Sequence, residues 1–264
     1  VSASVQTSVI LPTASLWRRE VIHFLRARSR IVGALATPLV FWLFLGSGLA
    51  NSFQMQQSQT KMSFLEYSFP GAVMLLVLFT AVFSSISIIE DRKAGFLQAV
   101  LTAPVSRSAI VMGNVFGSTS LAVGQGLLFL FIAPLAGVPL SFLSLLASLG
   151  VLAMVAIGLS SLGLIMAWRM DSVQGFHAVM NLMMMPLWLL SGALFPASGA
   201  STWLQWAMAL NPVAYGTAAL QHALYYGSSE LDHGLPGVGL SLAVTFGFTF
   251  VMLCLAVRTV TSRR

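Results

Sequence analysis

The stretch 108–168, SAIVMGNVFGSTSLAVGQGLLFLFIAPLAGVPLSFLSLLASLGVLAMVAIGLSSLGLIMAW, contains no charged residue. A helix needs about 20 mostly apolar residues to cross a hydrocarbon core, so a run of this length holds more than one span. Pro134, Gly137 and Pro139 interrupt it, and these residues punctuate helices. The stretch therefore reads as two spans, 113–136 and 140–167, whose tight connection makes them antiparallel neighbours.

The same criterion applied outward gives spans at 31–50 and 69–89 before this hairpin, and at 173–195 and 238–257 after it. Composition agrees. Of 264 residues, 57% are hydrophobic and 8% charged, whereas a water-facing surface needs about 25% charged. The expected fold is an all-α integral membrane domain of six transmembrane helices over 16–264, preceded by a flexible cytoplasmic tail over 1–15. Cys254 is the sole cysteine, which leaves no disulfide framework and no cysteine-based metal site.

Lys and Arg placement sets the orientation. With six spans both termini share one side. On that side fall Arg18, Arg19, Arg26, Arg28, Arg30, Arg92, Lys93, Arg107, Arg169, Arg258, Arg263 and Arg264, leaving Lys61 on the other. Both termini are thus expected in the cytoplasm, with the chain in a bacterial inner membrane. The net charge of +6 is then a membrane-surface feature and calls for no nucleic acid.

Two segments depart from an up-and-down bundle. Over 16–30, Trp17, Val21, Phe24 and Leu25 fall on one stripe while Arg18, Arg19, Arg26 and Arg30 lie elsewhere, the pattern of a helix lying in the bilayer interface. Basic anchoring to anionic lipid is the plainer role for the same helix. Over 195–224 an apolar chain is broken by Pro196, Gly199, Pro212 and Gly216. It reads as two short helices dipping into the outer leaflet, where buried irregular backbone is tolerated. Trp203, Trp206, Tyr215, Tyr225 and Tyr226 suit the headgroup level there.

The loop after the second span runs Glu90-Asp91-Arg92-Lys93-Ala94-Gly95-Phe96-Leu97-Gln98-Ala99-Val100-Leu101-Thr102-Ala103-Pro104-Val105-Ser106-Arg107. Phe96, Leu97, Val100 and Leu101 form a short apolar face at helical spacing, Pro104 stops that helix, and Ser106 stands where it can cap the next. A short helix between two spans is a handle on which a soluble partner could push; a stable turn with a solvated charge cluster is the plainer alternative.

Lys61 and Lys93 have no phosphate-loop context, there is no His-Glu-x-x-His pair, and no span contains two carboxylates. His23, His177, His222 and His233 are scattered without metal-ligand spacing. Enzyme chemistry and ion-coupled transport therefore lack their parts. The polar residues within spans, Asn114, Gln125, Gln174 and Asn181, suit interhelical hydrogen bonds, and Gly113-x-x-x-Gly117 suits close helix contact. Met183, Met184 and Met185 before Pro186 suit either gap-filling at a kink or a permissive apolar path.

Taken together the chain resembles the ABC-2-type transporter permeases, a group that includes drug-resistance, nodulation-factor and polysaccharide-export permeases. Three stretches carry the resemblance: Glu90-Asp91-Arg92 through Ala103-Pro104-Val105-Ser106-Arg107; Ser191-Gly192-Ala193-Leu194-Phe195-Pro196; and Trp203-Leu204-Gln205-Trp206 followed by Asn211-Pro212-Val213-Ala214-Tyr215. Family members often have an arginine near the position of Gln221, where this chain has Gln221-His222. The resemblance implies a type V exporter-like fold, a second permease (identical or homologous), and a separate ATPase subunit that binds ATP and Mg while this chain binds no cofactor. It implies that Glu90, Arg92, Phe96, Leu97, Val100, Leu101, Pro104 and Arg107 couple to that ATPase, with the interfacial helix beside them. Phe195, Pro196, Trp203, Trp206, Asn211, Pro212 and Tyr215 would form an outer gate. Phe79, Phe83, Asn181 and Met184 would line a path at the permease–permease interface. Such a path favours a hydrophobic or amphipathic cargo, drug-like or lipid-linked, moved outward; a polysaccharide is the alternative cargo. A membrane scaffold or assembly factor on the same fold is the alternative function, and an intramembrane enzyme the least supported.

Overall fold

The fold is a computed structural model that describes residues 9–26, 28–49, 63–226 and 235–262. Residues 1–8 of the expected tail, Ala50, Lys61, His233, Arg263 and Arg264 lie outside the described residues, as do the side chains of Arg28 and Arg30. Eleven α-helices are described, with no strand among them: α1 (Ile10–Arg26), α2 (Arg28–Leu49), α3 (Phe64–Phe83), α4 (Ile86–Lys93), α5 (Phe96–Thr102), α6 (Arg107–Leu130), α7 (Phe142–Arg169), α8 (Val173–Leu189), α9 (Thr202–Ala209), α10 (Pro212–Leu224) and α11 (Val238–Ser262).

α3 is the hub. Phe69, Val73, Met74, Leu76, Val77, Leu78, Ala81 and Val82 along it are all fully buried, because α2, α6, α7, α8 and α10 surround it. A helix that is apolar all round belongs inside a bundle or a membrane, and α3 occupies both. α11 covers α7 and α10, and α1 lies along α6.

Four stretches among the described residues are long and apolar enough to cross a membrane: Ile31–Gly48 in α2, Phe64–Lys93 across α3 and α4, Phe142–Arg169, and Val238–Ser262. α6 has 24 residues but contains Asn114, Ser118, Thr119 and Gln125, all buried. It can hold them because α3, α7 and α1 shield it from lipid. α8 has 17 residues. The antiparallel pair read from 108–168 is present as α6 and α7, which pack on each other across a 3-10 turn, Ala133–Ala136. Gly137 ends that turn at φ 85°, a left-handed conformation that glycine adopts without strain.

Element boundaries differ from the sequence reading where local chemistry overrides hydropathy. Helix α1 begins at Ile10, so 10–15 are helical and not tail, and it ends at Arg26 instead of continuing to Arg30. The second span breaks at Ser84 and Ser85, where Ser84 Oγ donates to the Thr80 carbonyl at 2.8 Å. There α7 comes so close that a Cβ on Gly163 would lie 2.8 Å from the Val82 carbonyl oxygen and 2.9 Å from Ser85 Oγ. α6 stops at Leu130, short of the expected 136, and α8 stops at Leu189, so that 190–195 form turns and not the end of a helix. Ser106 holds the N-cap position of α6 without a capping bond from its side chain; its hydroxyl instead accepts from Ser108 Oγ at 3.2 Å.

Candidate functional site

At the arginine-rich end, α4 and α5 form a hairpin turned by Gly95 at φ 76°, where a side chain would be strained. Three arginines fasten this hairpin and its neighbours to the rest of the bundle. Arg19 of α1 meets Asp91 of α4 as a fork, Nη1 to Oδ2 at 2.6 Å and Nη2 to Oδ1 at 2.5 Å. Its guanidinium also lies 3.9 Å from the centre of the Phe96 ring on α5. A planar two-point pair with a stacked ring fixes direction as well as distance. The hydrogen bond to Asp91 raises the Arg19 pKa further above its ordinary value, against the opposing effect of partial burial.

Arg92 reaches the carboxyl end of α7. Its Nη2 donates to the Trp168 carbonyl at 2.7 Å, and its Nη1 to the Met170 carbonyl at 3.1 Å and to Asp171 Oδ1 at 2.9 Å. Arg107, at the start of α6, donates to the Val260 carbonyl of α11 at 3.2 Å. The last carbonyls of a helix lack intrahelical partners and are the negative end of its dipole, so a guanidinium there satisfies both needs.

The apolar stripe on α5 turns mostly inward. Leu97 is buried, Phe96 and Val100 are half-buried, and Leu97 and Val100 join the core together with Leu16. Leu101 and Pro104 remain exposed beside Lys93 and Gln98, while Glu90 is half-buried. Thus the residues proposed to meet a partner divide into those that hold the hairpin and those it presents.

On α1, Phe24 is buried but Trp17 and Leu25 are exposed and Val21 is half-buried. The buried contact of α1 is set by Leu16 and Glu20, which sit on Gly113 and Gly117 of α6. A Cβ on Gly113 would stand 2.6 Å from Leu16 Cβ, and one on Gly117 would stand 2.8 Å from Glu20 Cβ. The small-residue pair therefore seats α1, and Trp17 Nε1 donates to Ser120 Oγ at 3.0 Å one turn further along α6.

A cavity of about 380 Å³ opens between α2, α3 and α8. Phe41 from α2, Phe79 and Phe83 from α3, and His177, Met185 and Trp188 from α8 line it, with Phe24 at one end. Phe83 and His177 rings are 4.7 Å apart, and Phe41 and Trp188 rings 5.3 Å. Of the path residues read from sequence, Phe79 and Phe83 are on this cavity. Met184 is not: it is fully buried in the core, and Met185 takes the cavity-facing position. Asn181 is exposed on the free face of α8, away from the cavity lining.

At the opposite end of α3 the chain is drawn tight. Gly71 lies under Ala193, whose Cβ would be 2.5 Å from a Cβ at Gly71. Trp188 Nε1 donates to the Gly71 carbonyl at 2.8 Å, Tyr67 Oη to that of Gly192 at 2.9 Å, and Tyr225 Oη to that of Glu66 at 3.2 Å. Asn211 caps α10 by accepting from the Val213 amide at 3.0 Å and donates to the Leu187 carbonyl at 2.6 Å. Pro212 takes the first helical position of α10, and Tyr215 Oη donates to the Ala209 carbonyl at 2.9 Å. Phe195 and Pro196 are half-buried, whereas Trp203 and Trp206 on α9 are about 70% exposed, at 71% and 69%. The residues expected to form an outer gate thus separate into a buried clasp and an exposed aromatic face.

An apolar helical bundle, a braced hairpin at its basic end and an apolar cavity along one side define a multi-pass membrane protein. More narrowly, the chain belongs to the ABC-2 type transporter family, whose model matches residues 13–225. Members of this family are transport permeases that work with a separate ABC ATPase subunit. Similar proteins include one named transport permease ycf38 from Cyanophora paradoxa, 27% identical over 245 residues, covering 89% of this chain and 84% of that one. Nodulation protein J from Rhizobium leguminosarum bv. viciae is 26% identical over 204 residues, covering 76% of this chain and 77% of its own. Nodulation protein J from Neorhizobium galegae is 24% identical over 245 residues, covering 92% and 90%.

Sequence reading found the hairpin but missed its fastenings. Asp91 and Asp171 are carboxylates beside or near arginines in the chain, yet their partners are 72 and 79 residues away. No local spacing encodes such pairs.

Proposed function

We propose that this chain is the membrane subunit of an ATP-driven exporter, moving a hydrophobic or amphipathic molecule, drug-like or lipid-linked, outward across a bacterial inner membrane. In this reading α2, α3–α4, α6, α7, α8 and α11 are six spans, both termini are cytoplasmic, and α9 and α10 are a re-entrant pair roofing the outer end. A partner ATPase binds ATP and Mg and docks on the exposed side of the α4–α5 hairpin, through Leu101, Pro104, Lys93 and Gln98. A second permease, identical or homologous, closes the cavity between α2, α3 and α8 into a path.

The observation that carries the reading is the bracing of the hairpin to α1 by Arg19 and to α7 by Arg92, with the next helix, α6, tied to α11 by Arg107. A handle that bent would absorb a push; one locked to two neighbouring helices passes it on. Displacement of the hairpin through Arg92 reaches the α7–α8 connection, and with it α8, which lines the cavity. The lining rings and Met185 favour an apolar cargo, with Thr37, Thr80 and His177 as its few polar contacts.

The test is purification from native membranes in mild detergent with identification of bound proteins, for the natural chain and for Leu101→Asp. Stoichiometric recovery of a phosphate-loop ATPase, lost in Leu101→Asp without loss of the folded permease, supports the reading. Recovery without any ATPase in several detergents overturns it in favour of a scaffold.

A further inference from the structure

We propose that the cleft between the last turns of α7 and α11 binds the phosphate group of an anionic glycerophospholipid. The cleft has a volume of about 410 Å³ and is lined by Arg169, Leu255, Arg258, Thr259 and Ser262. The proposal rests on the membrane-spanning reading of α7 and α11, but its test requires neither an ATPase nor transport, so the two can fail separately.

Carboxyl ends of helices ordinarily repel anions, because their free carbonyls form the negative pole. Here several of those carbonyls are already engaged by other arginines. Arg92 takes the carbonyls of Trp168 and Met170 at the end of α7, and Arg107 takes that of Val260 at the end of α11. Arg169 and Arg258 are therefore left over. Both are exposed, and among the described residues neither side chain has a hydrogen bond, ion pair or ring contact. Among the described residues no carboxylate lines the cleft, and Asp171, the acidic residue nearest Arg169 in the chain, is held by Arg92 at 2.9 Å.

Two guanidinium groups on adjacent, closely packed helices can take a phosphate in two-point fashion, which a pair of lysines could not orient. Thr259 and Ser262 supply hydroxyl donors on the same wall. Leu255 lies one turn deeper on α11 and is 42% exposed, so an acyl chain attached to the phosphate would run along apolar surface. A free phosphate would make no use of that wall. Basic clefts between spans at the inner surface suit anionic headgroups on general grounds; among the described residues nothing compensates the charges of this one.

The experiment is native mass spectrometry of the full chain in mild detergent, titrated separately with phosphatidylglycerol, phosphatidylcholine and inorganic phosphate. The expected result is a tightly retained phosphatidylglycerol adduct, not displaced by millimolar inorganic phosphate and not formed with phosphatidylcholine. Arg169→Gln with Arg258→Gln should weaken it about 25-fold, roughly fivefold for each charge near a membrane surface. Arg169→Lys with Arg258→Lys keeps the charge without the fork and should give an intermediate loss, which keeps the test decisive if the glutamine variant does not fold. Wild-type retention of phosphatidylglycerol by the glutamine variant overturns the site, and displacement by inorganic phosphate overturns the lipid assignment.

Discussion

Replacing Arg92 by alanine should uncouple the hairpin from the path while leaving the bundle assembled. The side chain is 27% exposed and its hydrogen bonds to the Trp168 and Met170 carbonyls end at a helix carboxyl terminus. A cation in a partly buried position of that kind contributes up to about 2 kcal/mol through the dipole, and a charged hydrogen bond about 1.5–3 kcal/mol when its partner would otherwise go unpaired. These overlap, so the loss should be about 2–3 kcal/mol. Asp171, by contrast, is 90% exposed, and a pair with so exposed a member contributes about 0.5 kcal/mol or less. The two substitutions therefore separate the carbonyl contacts from the ion pair. Arg92→Ala should lower the thermal midpoint in detergent clearly, and in proteoliposomes with the ATPase it should reduce transport per ATP hydrolysed by about tenfold or more. Arg92→Lys, which keeps charge without the fork, should fall between. Asp171→Ala should resemble the natural chain in both assays. The reasoning is refuted if Asp171→Ala is as damaging as Arg92→Ala, or if Arg92→Ala transports with normal coupling.

Gly117→Val should displace α1, since even a Cβ there would lie 2.8 Å from Glu20; an overpacking cost of about 1–3 kcal/mol should appear as a lower thermal midpoint. Met184→Ala should cost about 2–5 kcal/mol of stability as a buried truncation, whereas Met185→Ala should leave stability near normal and change transport, measured by melting and by flux of an apolar cargo. On α5, Leu97→Ala should destabilise by a similar core amount, while Leu101→Asp should spare the fold and abolish ATPase co-purification. Asn211→Ala removes a helix cap and a tie to Leu187; a loss of about 1–2 kcal/mol should register as faster proteolysis of the 190–211 segment.

What the sequence made legible was whatever depends on one segment at a time. Uncharged length, Pro134 and Gly137 sufficed for the α6–α7 hairpin, and Pro104 for the end of α5. Pro212, one of the breaks that divide 195–224 into two short helices, is the first residue of α10, a position where proline acts locally. The helical phase of contacts was another matter. On α8, Met184 and Met185 are chemically identical neighbours, yet successive residues point about 100° apart around a helix, and only the packing of α3 decides which one is buried. Likewise α8 ends at Leu189 although 190–195 remain apolar, because Gly192 turns back at φ 80° to place Ala193 against Gly71. The Gly113 and Gly117 pair was visible as a packing motif, but not that α1 was its occupant, since that choice lies nearly a hundred residues away in the chain.

The distribution of these ties bears on where motion can arise. At the basic end Arg19 and Arg92 lock α4–α5 to α1 and α7, and Arg107 locks α6 to α11; at the far end Tyr67, Trp188, Asn211 and Tyr225 lock α3 to α8, α10 and the turns between them. Between the two, α2 is mostly uncovered, whereas α3 is buried along nearly its whole length. A closely packed core has discrete arrangements and resists gradual deformation, so a push at the hairpin cannot be absorbed within α3, α6 and α7. It must emerge where packing is sparse, as a shift of α2 and the α7–α8 connection against that core. α2 and α8, the helix that follows that connection, wall the apolar cavity, and a cross-link between them, for example Thr37→Cys with His177→Cys, should stop transport while leaving ATPase docking intact. Undiminished transport in the cross-linked protein would mean that the cavity wall does not move and that the hairpin acts elsewhere.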